Sequence, residues 1–142
     1  ENVFPAHTYD QIIKFMPPDS LFENSDPRRT TNKQSLMHRR RISLSSEKLE
    51  TFDTEQRRTW SAVATALGQN TFSDAVKYCF RQQLEKRYGT YDIPTQTWLE
   101  LIRDQEGYSI KPHSDAQHKV ITLLFYLEVG LVKLNHYLCI IN

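Results

Sequence analysis

Cysteine and long apolar runs are scarce in this chain, and each absence excludes a class of protein. The two cysteines among 142 residues, Cys79 and Cys139, are too few for the disulfide framework of a small secreted domain. Both stand in apolar surroundings, so we expect reduced core residues and an intracellular, cytoplasmic setting. No apolar run is long enough to cross a bilayer, and the first residues lack a secretion signal, so we expect no membrane partner.

An excess of charge of either sign is also lacking. The chain has 18 lysines and arginines against 17 acidic residues, which gives a formal net charge of +1 with neutral histidines. This balance provides no long-range attraction to a polyanion, so we do not expect nucleic acid as a partner. The length is sufficient for one domain with a hydrophobic core.

The first part of the chain, residues 1–94, is predicted to be mainly helical. Apolar residues at helical spacing over 8–16 predict a first helix, which ends at Pro17-Pro18. Residues 18–33 are rich in Pro, Ser, Asp, Asn and Arg and predict an irregular loop. Residues 36–44 are predicted to form a strand.

Two further helices are predicted from stronger local signals. Asp53 is suited to cap a helix that starts at Thr54, and Gly68 is placed to end it in a left-handed conformation. Over 72–88 an apolar residue recurs every four positions, which predicts one continuous helix that ends at Gly89.

From residue 95 onward the apolar period changes to two, which predicts strands. The predicted strands cover 97–103, 108–112, 120–128 and 131–141, and Gly107 is expected to supply a positive φ in the turn that follows the first. We therefore expect an α+β fold in which the N-terminal helices pack outside an antiparallel barrel or jelly roll. Residues 95–142 would supply its first strands.

His113 and Asp115 form the most informative pair in the chain. Residues two apart in an extended backbone project from the same face, so this imidazole and this carboxylate can converge on one metal ion. A nitrogen and oxygen ligand set with open positions suits non-heme Fe(II). A His-x-Asp sequence is also common by chance, and the alternative is an ordinary polar turn between two strands.

The residues around this pair resemble the 2-oxoglutarate/Fe(II)-dependent dioxygenases, in particular the prolyl-hydroxylase-like branch. The resemblance covers about 97–128. Its matching positions are, in chain order, Gly107-Tyr108, Pro112-His113-Ser114-Asp115, Lys119, Thr122 and Phe125-Tyr126-Leu127. The fold that this resemblance implies is a partial double-stranded β-helix of the jelly-roll or cupin-like kind.

The resemblance also implies an activity. Fe(II) would be bound by His113 and Asp115, with 2-oxoglutarate as the cosubstrate and ascorbate as a possible further requirement. O2 and 2-oxoglutarate would be consumed to hydroxylate a prime substrate, with release of succinate and CO2. That substrate, either a protein side chain or a small molecule, is not identified by the sequence.

Four residues are candidates for contact with the cosubstrate. Tyr126 shares a strand face with Thr122, and its hydroxyl could donate to the distal carboxylate of 2-oxoglutarate if that face lines the barrel. Arg103 could pair with a carboxylate, and Tyr108 stands close to the metal pair in sequence. For each, the alternative is an ordinary surface or half-buried side chain.

The sequence departs from the family after Leu127. The second metal-binding histidine and the basic residue that anchors 2-oxoglutarate are not found, and His136 follows Asp115 too closely to match. His136 is therefore interpreted as a strand residue. We expect an incomplete reading of a longer oxygenase, a fragment with little or no turnover alone.

Two other functions are compatible with the sequence. A non-catalytic binding or scaffold module could use the basic cluster within residues 28–41. The alternative for that cluster, which we favour, is a solvated edge balanced by Glu47, Glu50, Asp53 and Glu55. A zinc hydrolase could use His113, Asp115 and His118 as a local three-ligand site.

Overall fold

The computed structural model describes residues 4–26, 33–109, 119–127 and 135–141. Within these ranges the protein is α+β, with six α-helices, one short 3-10 helix and one antiparallel sheet of five strands. The α+β class predicted from the sequence is therefore confirmed. A jelly-roll barrel is not shown, because the described strands all belong to a single sheet.

The helices precede most of the sheet along the chain. Their bounds are α1 Ala6–Lys14, α2 Lys33–His38, α3 Ser46–Leu49, α4 Thr54–Gly68, α5 Asn70–Cys79 and α6 Arg81–Tyr88, with the 3-10 helix at Asp19–Leu21. The strands are β1 Glu23–Asn24, β2 Arg39–Ser43, β3 Trp98–Asp104, β4 Thr122–Leu127 and β5 Asn135–Ile141.

The start of α4 was predicted correctly, but the conformation at its end was not. The Asp53 carboxylate accepts hydrogen bonds from the backbone N–H groups of Glu55 and Gln56, at 3.0 and 2.9 Å. Gly68 is the last helical residue, and in the described part of the chain positive φ occurs only at Gly89 and Gly107. The extended Gln69 leads directly into α5, so no left-handed cap is needed.

The single helix predicted over 72–88 is two helices that meet at Phe80. Phe80 leaves helical geometry at φ −103° and ψ 16°, and it is 40% exposed instead of contributing to a buried stripe. The fully buried residues of α5 are the polar Ser73 and Lys77, whereas Phe72 is only partly buried against the hydrophobic core. Lys77 donates to the carbonyl of Ile93 at 3.2 Å, and Ser73 contacts the Thr95 hydroxyl at 3.2 Å. Gly89 ends α6 in the left-handed conformation, as predicted.

Other local predictions also need correction. Residues 36–38, predicted to begin a strand, belong to α2, and β2 starts at Arg39. Tyr108 and Ser109, predicted to start a strand, lie outside any strand. Cys79, predicted to be a core residue, is exposed at the end of α5, two positions after the buried Lys77 and therefore away from the buried side of the helix.

The strands occur in the order β1-β2-β3-β5-β4, and each neighbouring pair is antiparallel. The C-terminal strand β5 thus lies between β3 and β4, which do not pair with each other. The register places Arg41 opposite Ile102, Ile102 opposite Tyr137, and Tyr137 opposite Tyr126. Since directly opposite residues project from the same face, this register sorts the side chains into two faces.

One face of the sheet, here called the helical face, packs against the helices. It carries Ile42, Leu99, Leu101, Leu123, Phe125 and Leu127. These side chains join Ile12 of α1 and Trp60 of α4 in one hydrophobic core. Trp60 is fully buried, and its indole N–H donates to the carbonyl of Phe15 at 2.9 Å. Burial of this apolar surface holds the helices on the sheet.

The other face, here called the opposite face, carries a mixture of charged and apolar side chains. Its members are Arg39, Arg41, Ser43, Trp98, Glu100, Ile102, Asp104, Thr122, Leu124 and Tyr126. Along β3, burial extends to both faces, since Glu100 and Ile102 are as buried as Leu101. Among the helices that the structure describes, none has the length and apolarity required to span a bilayer.

Candidate functional site

The predicted metal ligands lie outside the described residues. His113 and Asp115 fall within 110–118, and so does His118, the third ligand considered for zinc. Within 4–26, 33–109, 119–127 and 135–141, no three His, Cys, Asp or Glu side chains are grouped so that they could hold a metal ion. The described structure instead shows how the chain approaches this segment through residues 104–109.

The chain approaches the segment through a tight turn at 104–107. Gly107 has φ 85°, the positive φ predicted from the sequence. An alanine Cβ here would lie 3.4 Å from the ring of His38, so the turn is closely packed. Hydrogen bonds from the Gln105 N–H to the His38 carbonyl at 2.7 Å, and from the Tyr108 N–H to the Gln105 carbonyl at 3.1 Å, fix its path.

Tyr108 lies against the opposite face of the sheet. The guanidinium of Arg39 is stacked on its ring, 4.1 Å from the centroid. Arg39 is held by Asp104, whose carboxylate accepts from Nε at 2.6 Å and from Nη2 at 2.8 Å. The Tyr108 hydroxyl is buried and has no hydrogen-bond partner among the described residues. The chain therefore leaves the described region at Ser109 from the opposite face.

Tyr126 and Thr122 also lie on the opposite face. Tyr126 is 68% exposed, Leu124 beside it is 44% exposed, and Thr122 is half-buried. Their neighbours Leu123 and Phe125 point the other way, into the helix-covered core. The common face of Thr122, Leu124 and Tyr126 thus points away from the helices.

Arg103 occupies the helical face instead. It lies in phase with Leu99 and Leu101, and its guanidinium forms an ion pair with Asp19 of the 3-10 helix. Burial lowers the pKa of the Arg103 guanidinium. Because Arg103 and Tyr126 are on opposite sides of the sheet, the structure does not bring these two predicted contacts together.

A second ion pair on the opposite face was not recognised from the sequence. Arg41 donates from Nη1 to Glu100 at 3.0 Å, and Glu100 is only 2% exposed. The sequence does carry a sign of these ion pairs, because charged residues recur at even spacing in two strands. They are Arg39 and Arg41 on β2, and Glu100 and Asp104 on β3. The strand register that joins them could not be read from either strand alone.

The basic cluster within 28–41 does not form one surface in the described residues. Arg39 and Arg41 are paired with acids on the opposite face, whereas Arg40 stands opposite Arg103 in the register of the helical face. Arg28 and Arg29 lie outside the described residues. The acids that balance β2 belong to β3, not to the nearby segment 47–55 in which they were expected.

Comparison with known proteins identifies no relative. No protein-family model, no curated protein and no solved structure matches this chain.

Proposed function

We propose that this chain is part of an Fe(II)- and 2-oxoglutarate-dependent oxygenase with a jelly-roll core. The proposal depends mainly on one observation. The turn at Gly107 and the stacked Tyr108 direct the chain from the opposite face of the sheet into the segment that contains His113 and Asp115. Tyr126 and Thr122, the candidate cosubstrate contacts, project from that same face. Tyr108, which precedes that segment, thus lies on the same side of the sheet as Tyr126 and Thr122, and this supports the proposal.

The strand order has one feature in common with a jelly-roll core. Consecutive strands of a jelly roll alternate between two sheets, so its first and third strands share a sheet without pairing. β3 and β4 also share a sheet without pairing, whereas β4 and β5 depart from this rule because they follow one another and pair in one sheet. In such a fold the face directed away from the helices lines the barrel, which is where a cosubstrate would bind.

The opposite face offers hydroxyl donors to an anionic cosubstrate. Phenol groups are donors for carboxylates, and the buried Tyr108 hydroxyl has no acceptor among the described residues. His113 and Asp115 would hold the Fe(II), which when bound supplies the oxidative chemistry with O2 and 2-oxoglutarate.

The remaining roles belong to side chains of the chain itself. Tyr126 and Thr122 would donate hydroxyl hydrogen bonds to the cosubstrate, and Leu124 would exclude water between them. Tyr108 would hold the start of the metal-binding segment against Arg39. Arg103 has no place in this site, because it pairs with Asp19 on the helical face. The prime substrate would be a protein side chain or a small molecule.

Metal binding by matched variants tests the proposal. Anaerobic calorimetric titration with Co(II) is expected to show one site that is lost in His113→Ala and Asp115→Ala. His118→Ala is the matched control, since it removes a nearby imidazole that the proposal does not use. Equal Co(II) affinity in the wild type and in His113→Ala would refute the proposal and favour a non-catalytic binding module. Loss of binding in His118→Ala as well would favour the zinc-site alternative.

A further inference from the structure

Residues 78–91, here called the basic aromatic surface, comprise the end of α5, the whole of α6 and the turn after it. Exposed aromatic side chains are concentrated here. Of the eight large hydrophobic side chains that are exposed in the described part of the chain, half belong to this surface, namely Tyr78, Phe80, Tyr88 and Tyr91. Within α6 only Leu84 is buried. Packing in the hydrophobic core therefore does not account for these four rings.

The same surface carries positive charge that is not neutralised. Arg81, Lys86 and Arg87 are exposed, and none of them forms an ion pair with an acid among the described residues. The two arginines of α4, in contrast, are both paired with glutamates. Three basic residues and one acid, Glu85, give residues 78–91 a net charge of +2, although the whole chain has only +1. The balance of the whole chain, from which no nucleic-acid partner was expected, therefore conceals a local excess.

Two of the arginines are stacked on two of the tyrosines. The guanidinium of Arg81 lies 4.6 Å from the ring centroid of Tyr78, and that of Arg87 lies 4.7 Å from the ring centroid of Tyr88. Each stack holds a planar cation beside an aromatic ring, so less conformational freedom is lost when a planar anionic ligand binds. Since α6 has eight residues and is about 12 Å long, both stacks belong to one short surface.

We infer that the basic aromatic surface binds single-stranded nucleic acid, independently of the proposed function. Proteins bind such strands by stacking the bases on aromatic rings and guanidinium planes, while cations contact the phosphates. The exposed tyrosines provide the rings, and the arginines and Lys86 provide the cations. A duplex fits this surface less well, because its bases are already stacked on one another. An acidic peptide would use the cations but would leave the exposed rings without a role.

Fluorescence anisotropy with the full chain tests the inference, with labelled oligo(rU) and oligo(dT) of equal length as probes. We expect binding at low ionic strength that weakens as salt is added. Binding of either probe supports the inference, and the tighter of the two identifies RNA or DNA as the partner. An abasic strand of the same length keeps the phosphates but lacks the bases, so it should bind about tenfold more weakly or worse.

Tyrosine variants test the contribution of stacking. The double variant Tyr78→Leu/Tyr88→Leu keeps apolar side chains but removes both rings, and it should weaken binding of the preferred strand about tenfold or more. The double variant Tyr78→Phe/Tyr88→Phe is the matched control. It keeps both rings and loses only the hydroxyls, so it should retain wild-type affinity.

Arginine variants test the contribution of charge. Arg81→Gln/Arg87→Gln should weaken binding and reduce its salt dependence, since each phosphate contact on a single strand contributes about 0.7 to the slope of log affinity against log salt. Arg57→Gln/Arg58→Gln removes the same charge from the ion pairs of α4 and should retain wild-type affinity.

Four results would overturn the inference. The wild type could fail to bind either oligonucleotide at low ionic strength, or it could bind the abasic strand equally well. The variant Tyr78→Leu/Tyr88→Leu could retain wild-type affinity. Finally, tighter binding of polyglutamate than of either oligonucleotide would indicate an acidic protein partner instead.

Discussion

The ion pair between Arg39 and Asp104 is predicted to be a major stabilising contact of the sheet. Only 14% and 9% of these side chains are exposed, and two hydrogen bonds of 2.6 and 2.8 Å join them. Loss of one partner would leave the other charge buried, at a cost of roughly 3–5 kcal/mol for a buried pair. In a double-mutant cycle with Arg39→Gln and Asp104→Asn, we expect a coupling energy of about 2–3 kcal/mol.

Urea unfolding followed by far-UV circular dichroism measures the four free energies of unfolding in this cycle. The pair Arg58–Glu55 provides an internal control, since its side chains are 71% and 46% exposed. An exposed helical pair of this kind should couple by only about 0.3–0.5 kcal/mol. If Arg39 and Asp104 couple no more strongly than this control pair, the prediction that they form a major stabilising contact of the sheet is wrong.

Three further predictions concern single residues. Leu101→Ala, at a fully buried position in the centre of β3, should lower the free energy of unfolding by roughly 2–5 kcal/mol, measured by urea unfolding. Gly107→Ala should lower the free energy of unfolding by about 1–2 kcal/mol in the same assay, because a φ of 85° is unfavourable for a residue with a Cβ. An unchanged urea midpoint would contradict this conformation. Asp53→Ala should lower the free energy of unfolding by about 1 kcal/mol through loss of the α4 cap, whereas Asp53→Asn should keep most of the wild-type stability because asparagine also caps helices. Equal losses of stability in both variants would contradict the capping role.

Features specified by a few neighbouring residues could be predicted from the sequence. The Asp53 cap, the left-handed Gly89 and the positive φ of Gly107 each follow from local conformational preferences. The break at Phe80 could not be predicted, because the apolar repeat over 72–88 continues through it. The buried face of α5 is defined by polar contacts of Ser73 and Lys77 with a loop that follows more than ten residues later.

Long-range pairing limited the prediction of the candidate site. Alternation along one strand places Thr122 and Tyr126 on a common face, but which face carries the helices depends on contacts with residues far away in sequence. The same limit applies to Arg103, which belongs to the helical face, and to Arg41, whose partner Glu100 is brought to it by the register of β2 and β3. Sequence patterns predicted β3, β4 and β5 approximately, but they missed β1 within the predicted loop and did not give the order of the strands in the sheet.

The central proposal is that His113 and Asp115 bind one metal ion and that 2-oxoglutarate chelates this ion. Anaerobic difference spectroscopy tests it most directly, because a 2-oxo acid chelated to Fe(II) gives a visible metal-to-ligand charge-transfer band. We predict that the band appears only when Fe(II) and 2-oxoglutarate are both added, and that Asp115→Ala abolishes it. Absence of the band in the wild-type protein, or its persistence in Asp115→Ala, would contradict the claim.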